Sequence, residues 1–236
     1  MISTALHFSG GKDSLACLYL YREHWDEILV CWVNTGAAYP EIVELMRKWR
    51  DRLPHFLEIS SNQPGQIERN GYPCDVVPLS YTPMGRGVVK SAQTYKLQSA
   101  WQCCAENIWL PMQAEMKRRG IKLIIRGQRK DERRTNGLSS GHTEDGIEYI
   151  FPIESWSAEQ VFKYLKDVGA EIPAHYDSEL TSRDCWDCTA YLDENVERIR
   201  NLPEGRRSEV IRRLASIRDA VSTDMEPLER AFHACA

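Results

Sequence analysis

The feature that most constrains the fold is an alternation of short apolar runs with amphipathic stretches in the first sixty residues. Three apolar runs have strand length, namely Thr4 to Phe8, Ile28 to Val33 and Phe56 to Ile59. Leu15 to His24 has apolar residues at helical spacing, and Pro40 to Arg52 begins with a proline that suits a first helical turn. Continuous apolar runs are typical of parallel sheets covered by helices. The alternation therefore predicts a Rossmann-like α/β fold with a parallel sheet.

The middle of the chain is less regular. We predict a long loop from Ser61 to Lys90, which is rich in Pro, Gly, Asn and Ser. A predicted helix from Leu97 to Arg119 is kinked or broken at Pro111. Lys122 to Arg126 is predicted to be another buried strand.

A polar, Gly-rich turn region is predicted from Gly127 to Gly146, followed by a strand from Glu148 to Phe151. Ser157 is predicted to cap a helix that runs to Val168. The chain after about Leu192 is predicted to be helical and strongly charged. We therefore predict a nucleotide-binding domain over residues 1–190 and a helical C-terminal extension over residues 191–236.

The composition limits the partners and the compartment. The net charge is only −4, with 27% charged residues, so a general electrostatic grip on nucleic acid is not implied, although a local basic face stays open. There is no run of 18 apolar residues, and the N-terminus has no charged segment of the secretory kind. We therefore expect a cytoplasmic protein without a membrane span. Its eight cysteines are then expected to be metal-binding, catalytic or buried rather than disulfide-bonded.

A glycine loop between the first apolar run and the first helix predicts a phosphate site. Its residues are Ser9, Gly10, Gly11, Lys12, Asp13 and Ser14. Glycines let the backbone approach phosphate, and the N–H groups at the helix start point towards the anion. Lys12 can neutralise phosphate charge, the two serines can donate hydrogen bonds, and Asp13 is expected to hold Mg²⁺. The alternative is a glycine-rich turn without a ligand.

Four cysteines occur in two pairs, Cys103-Cys104 and the C-x-x-C of Cys185 and Cys188. Four thiolates suit a zinc ion or an iron–sulfur cluster, and buried cysteines without metal are the third interpretation. Adjacent helical residues point about 100° apart. The tandem pair therefore predicts either a larger target than zinc or a distorted helix.

A basic segment follows the Lys122 to Arg126 run. It contains Arg126, Arg129, Lys130, Arg133 and Arg134. Ligands of open α/β sheets bind at the carboxyl ends of strands, and arginine forks suit phosphate or sulfate oxygens. We favour a functional role for Arg129. For Arg133 and Arg134 a solvated charged turn is an equal alternative.

These motifs resemble those of the phosphoadenylyl-sulfate (PAPS) and adenylyl-sulfate (APS) reductase family of the adenine nucleotide α-hydrolase superfamily. The glycine loop resembles the superfamily's pyrophosphate-binding loop. Asn34-Thr35-Gly36 is similar to the family's "DTG" segment, and Gly127-Gln128-Arg129-Lys130-Asp131 to its "GQRKD" segment. The cysteine pairs resemble the cluster-binding pattern of APS reductases. The resemblance covers roughly residues 1–190.

The resemblance implies a role for each matched position. Asn34, Thr35 and Gly36 would lie beside the adenosine. Gly127 and Arg129 would lie at the α-phosphate or the group attached to it. The four paired cysteines would bind a [4Fe–4S] cluster, with zinc as the rival metal.

The chain departs from the reductase pattern at points that bear on the reaction. It has no "ECGLH" segment, and its last cysteine, Cys235 beside His233, is either an activated thiol or part of an idle terminus. Lys12 and Asp13 are present where reductases usually have a degenerate loop. The favoured hypothesis is ATP cleavage at the α–β bond to activate an acceptor for sulfur transfer, with DNA or RNA thiolation as the nearest analogy.

Two alternatives stay open. In the first, the protein reduces APS or PAPS, with Cys235 as nucleophile and thioredoxin as electron donor. In the second, it is a non-catalytic nucleotide-binding partner in a larger assembly. A zinc ion in place of the cluster would change the metal but not the nucleotide site.

Overall fold

A computed structural model describes residues 2–88, 95–132, 137–177 and 182–235. The strands are β1 (Thr4–His7), β2 (Ile28–Asn34), β3 (Phe56–Ser60), β4 (Tyr72–Cys74), β5 (Leu97–Ser99), β6 (Leu123–Ile125), β7 (His142–Glu144) and β8 (Ile147–Ile150). The α-helices are α1 (Lys12–Leu20), α2 (Pro40–Arg52), α3 (Gln63–Asn70), α4 (Pro83–Val88), α5 (Ala100–Cys104), α6 (Leu110–Arg119), α7 (Ala158–Asp167), α8 (Leu192–Arg200) and α9 (Glu204–Cys235).

The chain divides into two compact units. The first unit comprises residues 1–34, 38–61 and 110–184, and the second comprises residues 35–37, 62–109 and 185–236. The predicted division into a nucleotide-binding domain over residues 1–190 and a helical extension over residues 191–236 stays a prediction.

The first unit contains a six-stranded sheet in the order β3-β2-β1-β6-β8-β7. All neighbours are parallel except β7 and β8, which form an antiparallel pair at one edge. The continuous apolar run of β2 is buried along nearly its whole length, as a central parallel strand requires. The predicted parallel α/β sheet is therefore confirmed. Residues 133–136 of the predicted Gly127 to Gly146 turn region lie outside the described residues. Within the described part of this region, the prediction is wrong at β7, whose pairing with β8 adds one short edge strand.

Two neighbouring strands of this sheet end at the predicted phosphate site. Leu6 of β1 pairs with Ile125 of β6, so the two strands end side by side. The glycine loop follows β1, and the Gly127 segment follows β6. Because of this parallel register, the glycine loop and the Gly127 segment, which are far apart in sequence, lie at the same edge of the sheet.

The second unit corrects the prediction of a long loop from Ser61 to Lys90. This segment contains α3, β4 and α4, and β4 pairs in parallel with β5. Asn62 caps α3 by accepting a hydrogen bond from the Gly65 N–H (3.0 Å), and Pro64 suits the first helical turn. Polar turn residues here begin short elements instead of forming an open loop.

The predicted helix from Leu97 to Arg119 is also partly wrong. Its first three residues form β5, because Leu97 is fully buried in the two-stranded sheet. Helix α5 then passes into a π-helical turn, Ala105–Trp109, before α6 begins. The break precedes Pro111, whose ring cannot follow a regular helical turn.

The helical C-terminal extension is confirmed by α8 and α9. Ile217 and Ala220 of α9 join a buried cluster with Cys74, Tyr81 and Leu97. The extension therefore supplies core to the second unit. Among the described helices, none combines the length and the apolar character that crossing a bilayer requires.

Candidate functional site

The glycine loop is closed by its own hydrogen bonds. The Ser9 N–H donates to Ser14 Oγ (3.2 Å), and Ser14 Oγ donates to the Gly11 carbonyl (3.0 Å). Gly10 has a φ of +80°, and a Cβ at this position would lie 2.9 Å from the Met46 side chain. The turn therefore requires glycine at position 10, and the chain itself sets the shape of the loop.

The first turn of α1 carries a buried cluster in which one carboxylate holds two cations. Lys12 Nζ lies 2.6 Å from Asp13 Oδ2, and Arg129 Nε donates to Asp13 Oδ1 at 2.7 Å. None of the three residues is more than 7% exposed. Because buried charges are costly unless they are paired, Asp13 fixes the positions of both cations. All three were predicted site residues, and the structure brings them together.

Gly127 explains how the two motifs can meet. A Cβ at this position would lie 2.5 Å from the carbonyl carbon of Asp13 and 2.6 Å from the Ser14 nitrogen. These are backbone atoms at the start of α1, so they cannot move aside cheaply. Gly127 therefore permits the close approach that places Arg129 beside Asp13.

Acidic residues also surround Arg129. Its guanidinium pairs with Asp131, and Glu132 Oε1 lies 4.0 Å from its Nη2. Burial, followed by the charge of Asp13, raises the pKa of Glu132. Lys130 instead faces Glu154 at 3.5 Å. Two other residues of the basic segment, Arg133 and Arg134, lie outside the described residues.

Two hydroxyl groups next to the loop were not among the predicted site residues. The Tyr176 hydroxyl accepts a hydrogen bond from the Lys12 N–H (2.9 Å) and lies 3.3 Å from Ser182 Oγ. Burial raises the pKa of Tyr176 to about 12. Lys12 N–H is one of the helix-start donors that a phosphate would use. Neither Tyr176 nor Ser182 belongs to a motif that the sequence analysis used.

Asn34, at the end of β2, is anchored to the neighbouring strand. Its Nδ2 donates to Glu58 Oε1 of β3 at 2.8 Å. Glu58 also pairs with Arg50. The predicted role of Asn34 beside the adenosine stays a prediction.

In the second unit, Thr35 touches one of the paired cysteines. Its Oγ1 lies 3.3 Å from Cys185 Sγ, and Thr35 is buried. Gly36 follows with a φ of +79°, and the Trp186 N–H donates to the Ala37 carbonyl (3.0 Å). A segment predicted to bind nucleotide is therefore fixed against the C-x-x-C segment.

The backbone of the C-x-x-C segment is held by one buried arginine. Arg198 donates from Nη1 to the Cys185 carbonyl (2.7 Å) and from Nη2 to the Cys188 carbonyl (3.2 Å). Asp187, between the two cysteines, pairs with Arg213 at 2.9 Å and accepts from Gln63 at 3.1 Å. The turn that carries both thiols is thus fixed by contacts with three side chains, those of Arg198, Arg213 and Gln63.

The tandem pair lies at the end of α5, directly before the π-helical turn. Cys103 is buried, and Cys104 Sγ lies 3.3 Å from the Tyr191 hydroxyl. Burial, with smaller contributions from Cys104 and Cys188, raises the pKa of Cys103 to about 12. The helix is therefore distorted next to the pair, which is one of the two arrangements that the tandem cysteines predict.

All eight cysteines lie in the described part of the chain, and none of them forms a disulfide there. Within the described part of the chain, no three side chains of His, Cys, Asp or Glu are arranged to hold a metal ion. The cysteine region, as we call Cys103, Cys104, Cys185 and Cys188, has the donor chemistry of a soft-metal site and a fixed backbone. Its metal stays a prediction.

The remaining predicted residue, Cys235, lies on the exposed last turn of α9. His233 lies on the same turn, and its Nε2 is 3.9 Å from Glu229 Oε2. The thiol is accessible, and its predicted catalytic role stays a prediction.

The fold and the glycine loop define a class of proteins, namely parallel α/β domains with a glycine-rich turn after the first strand. Residues 3–191 match the family described as the phosphoadenosine phosphosulfate reductase domain. The chain therefore belongs to the phosphoadenosine phosphosulfate reductase family, as its motifs predicted.

Individual relatives are distant. The 7-cyano-7-deazaguanine synthase of Pyrococcus horikoshii is 21% identical over 240 residues, which cover 92% of this chain and 93% of that protein. The phosphoadenylyl-sulfate reductase of Candida auris, solved as a phosphate complex, has a TM-score of 0.53 at 15% identity, over 78% of this chain and 82% of that one.

The NH3-dependent NAD synthetase of Campylobacter jejuni has a TM-score of 0.46 at 14% identity, over 91% of this chain and 84% of that one. At these identities the likeness to the reductase shows the fold alone.

Proposed function

We propose that this protein binds ATP at the glycine loop and transfers the adenylyl group to an acceptor in sulfur chemistry. The observation that carries the proposal is the buried cluster of Lys12, Asp13 and Arg129. Two fixed cations at the start of a helix form a site for a polyphosphate, because the helix N–H groups add to their attraction. Ser9 and Ser14 add hydroxyl groups at the same turn.

In the proposed reaction, an oxygen or sulfur atom of the acceptor attacks the α-phosphorus. The bond from the α-phosphorus to the bridging oxygen breaks, pyrophosphate leaves, and the acceptor's proton passes to solvent. Arg129 would stabilise the negative charge that develops on the α-phosphate, and Lys12 the charge on the leaving pyrophosphate. Asp13 positions both cations. Mg²⁺, which Asp13 would help to hold, would neutralise charge on the phosphates.

Two observations favour ATP over a sulfated nucleotide. Lys12 and Asp13 are both present and both buried in the site. A sulfated nucleotide has no β,γ-pyrophosphate for such a loop to bind. In addition, the deazaguanine relative, which this chain matches along almost its whole length, is named a synthase and not a reductase.

We also propose that Cys103, Cys104, Cys185 and Cys188 hold a [4Fe–4S] cluster. The chemistry of the residues fits such a group, because the four thiols belong to one unit, none of them is in a disulfide, and Arg198 holds the C-x-x-C backbone. When bound, the cluster would order the surrounding segments, which include the Thr35 side chain beside Cys185. Zinc is the rival metal, and metal analysis of anaerobically purified protein distinguishes the two.

The test is pyrophosphate release from ATP. Lys12→Ala should lower the rate at least about 100-fold, the usual effect of removing a transition-state charge partner. Lys117→Ala is the matched control, because Lys117 is half-exposed and pairs with Asp145 on another part of the first unit. Unchanged release in Lys12→Ala would contradict the proposal.

A second candidate is reduction of APS or PAPS, which the family match and the exposed Cys235 favour. The Cys235 thiolate would attack the sulfate sulfur, the sulfur–oxygen bond to the nucleotide would break, and a nucleoside phosphate would leave. A thioredoxin thiol would then release sulfite and form a disulfide. Sulfite production that Cys235→Ala abolishes would establish this reaction. A protein that binds ATP but is inert in both assays would be a non-catalytic nucleotide-binding partner.

A further inference from the structure

Two polar side chains beside the glycine loop have no role in the proposed reaction. His7 is the last residue of β1, and Arg126 directly follows β6. The preceding residues, Leu6 and Ile125, are register partners, and the Arg126 N–H continues the ladder by donating to the Ile150 carbonyl (3.0 Å). Residues at matching positions of neighbouring parallel strands point to the same face, about 5 Å apart. His7 and Arg126 are therefore neighbours on one face of the sheet.

Neither side chain is satisfied within the chain that the structure describes. His7 Nε2 is shut off from solvent and has no hydrogen-bond partner there. The Arg126 guanidinium makes no hydrogen bond or ion pair with any described residue, although it is only partly exposed. Buried polar atoms are normally paired, so the unpaired His7 Nε2 points to a ligand, and the Arg126 guanidinium beside it is not paired with any described residue.

Among the described residues, Glu132 is the carboxylate whose charge acts on Arg126. Burial lowers the pKa of Arg126, while Tyr149 and Glu132 oppose this shift. The pKa of Glu132 is itself raised, first by burial and then by the charge of Asp13. Burial, and then the charge of Arg126, lowers the pKa of His7 to about 3, so its imidazole is neutral near pH 7.

The chemistry of the pair defines the ligand. A guanidinium presents parallel N–H donors that match two oxygens of a carboxylate, phosphate or sulfate group. A neutral imidazole adds one hydrogen bond, as donor or acceptor according to its tautomer. The pair lies at the carboxyl ends of β1 and β6, where α/β sheets bind substrates.

We propose that Arg126 and His7 form a second oxyanion subsite, separate from the glycine loop, that binds an anionic group of the acceptor. This inference deepens the proposed function. It rests on the proposed function in one respect, namely that the bound molecule is the acceptor of the adenylyl group. The ligand of the subsite is a molecule that carries a carboxylate, phosphate or sulfate group.

The test compares sodium sulfate, inorganic phosphate and acetate with sodium chloride at constant ionic strength. The background is Lys12→Ala, which weakens anion binding at the loop. At least one oxyanion should raise the melting temperature of the Lys12→Ala variant. In the double variant Lys12→Ala/Arg126→Gln, the concentration of that oxyanion needed for half of the effect should be at least tenfold higher. Lys122→Gln, an exposed change next to β6, should leave the concentration unchanged. A stronger response to acetate than to phosphate and sulfate would indicate that the subsite binds a carboxylate, and the reverse order would indicate a tetrahedral anion.

Two further measurements keep the proposal falsifiable. Arg126→Lys retains the charge but loses the fork, so it should also weaken binding at least tenfold while the protein stays folded. The imidazole NMR signals of His7, assigned with His7→Gln, should shift when the anion is added. The absence of any oxyanion effect beyond chloride, or an equal effect in Arg126→Gln, would overturn the subsite.

The outcomes separate this inference from the proposed function. If Lys12→Ala leaves pyrophosphate release unchanged while anion binding still depends on Arg126, adenylyl transfer fails and the subsite stands. If pyrophosphate release depends on Lys12 but no oxyanion responds to Arg126→Gln, the subsite fails and adenylyl transfer stands.

Discussion

In the glycine loop the functional side chains already contact one another, whereas in the cysteine region mainly the backbone is held. Lys12 and Arg129 both pair with Asp13, but no three of the paired cysteines converge within the described residues. Charged groups must be paired to be buried, so the chain itself has to place them. Thiols are small and weakly polar, so they tolerate burial without partners, and a metal can supply the force that gathers them.

The largest expected effect tests the cysteine side of this comparison. Cys185→Ser should abolish the brown colour and the bound iron of anaerobically purified protein, because a cluster needs all of its thiolates. Cys235→Ser, an exposed change on α9, should leave both unchanged. Full iron content in Cys185→Ser would remove this residue from the proposed ligand set.

The next effect tests whether charges hold the glycine loop in place. Arg129→Met leaves the buried Asp13 with one cation in place of two, which should lower the free energy of unfolding by about 3 kcal/mol. Arg47→Met removes an exposed ion pair with Glu44 and should cost less than about 1 kcal/mol. Urea unfolding of both variants measures the difference. Equal losses would show that Arg129 does not organise the loop.

An equivalent test exists for the backbone of the cysteine region. Arg198→Met removes the hydrogen bonds to the Cys185 and Cys188 carbonyls, at a cost of about 2 kcal/mol in metal-free protein. Arg200→Met, an exposed change on the same helix, should be nearly neutral. If metal gathers the thiols, Arg198→Met should lower the iron content only partly. Complete loss of iron would mean that the backbone matters as much as the ligands.

The smallest expected effect concerns the Tyr176 hydroxyl, which accepts a hydrogen bond from the Lys12 N–H that a phosphate would otherwise use. Tyr176→Phe removes the acceptor of the Lys12 N–H and should lower the free energy of unfolding by about 1 kcal/mol. ATP should bind at least as tightly, because this N–H becomes available to phosphate. Calorimetric titration measures the affinity, with Tyr164→Phe as the control. A tenfold weaker affinity would show that Tyr176 itself contacts the nucleotide.

The central sheet could be predicted from the sequence because its strands are continuous apolar runs. β2 is the clearest case, since its run was predicted almost to the residue. The capping box of Ser157 and Gln160 likewise confirms the predicted start of α7. Local signals of this kind do not depend on the rest of the chain.

The second unit could not be predicted in the same way. β4 and β5 are three residues long, and they are stabilised by pairing with each other and by burial against α9. Such elements have no periodic pattern of their own, and Pro, Gly and Asn near their ends predict a loop. Tertiary contacts, and not local sequence signals, therefore determine that β4 and β5 form strands.

At the candidate site, the sequence predicted the chemistry of residues but not their partners. Lys12, Asp13 and Arg129 were predicted from motifs, but the pairing of Arg129 with Asp13 depends on the order β1-β6. Tyr176 carries no motif strong enough to place it at the loop. That no described residue pairs with His7 Nε2 or the Arg126 guanidinium becomes visible only when their surroundings are known.

The pairing of Asp13 with Arg129 also bears on how the protein folds. These residues are 116 positions apart, whereas β1 and β2 are close in sequence. Contacts between distant segments form late, because the entropy of closing the long loop must first be overcome. During synthesis, the glycine loop therefore emerges long before its second cation. A chain shortened ahead of Arg129 would retain the loop sequence but would leave Asp13 paired with Lys12 alone.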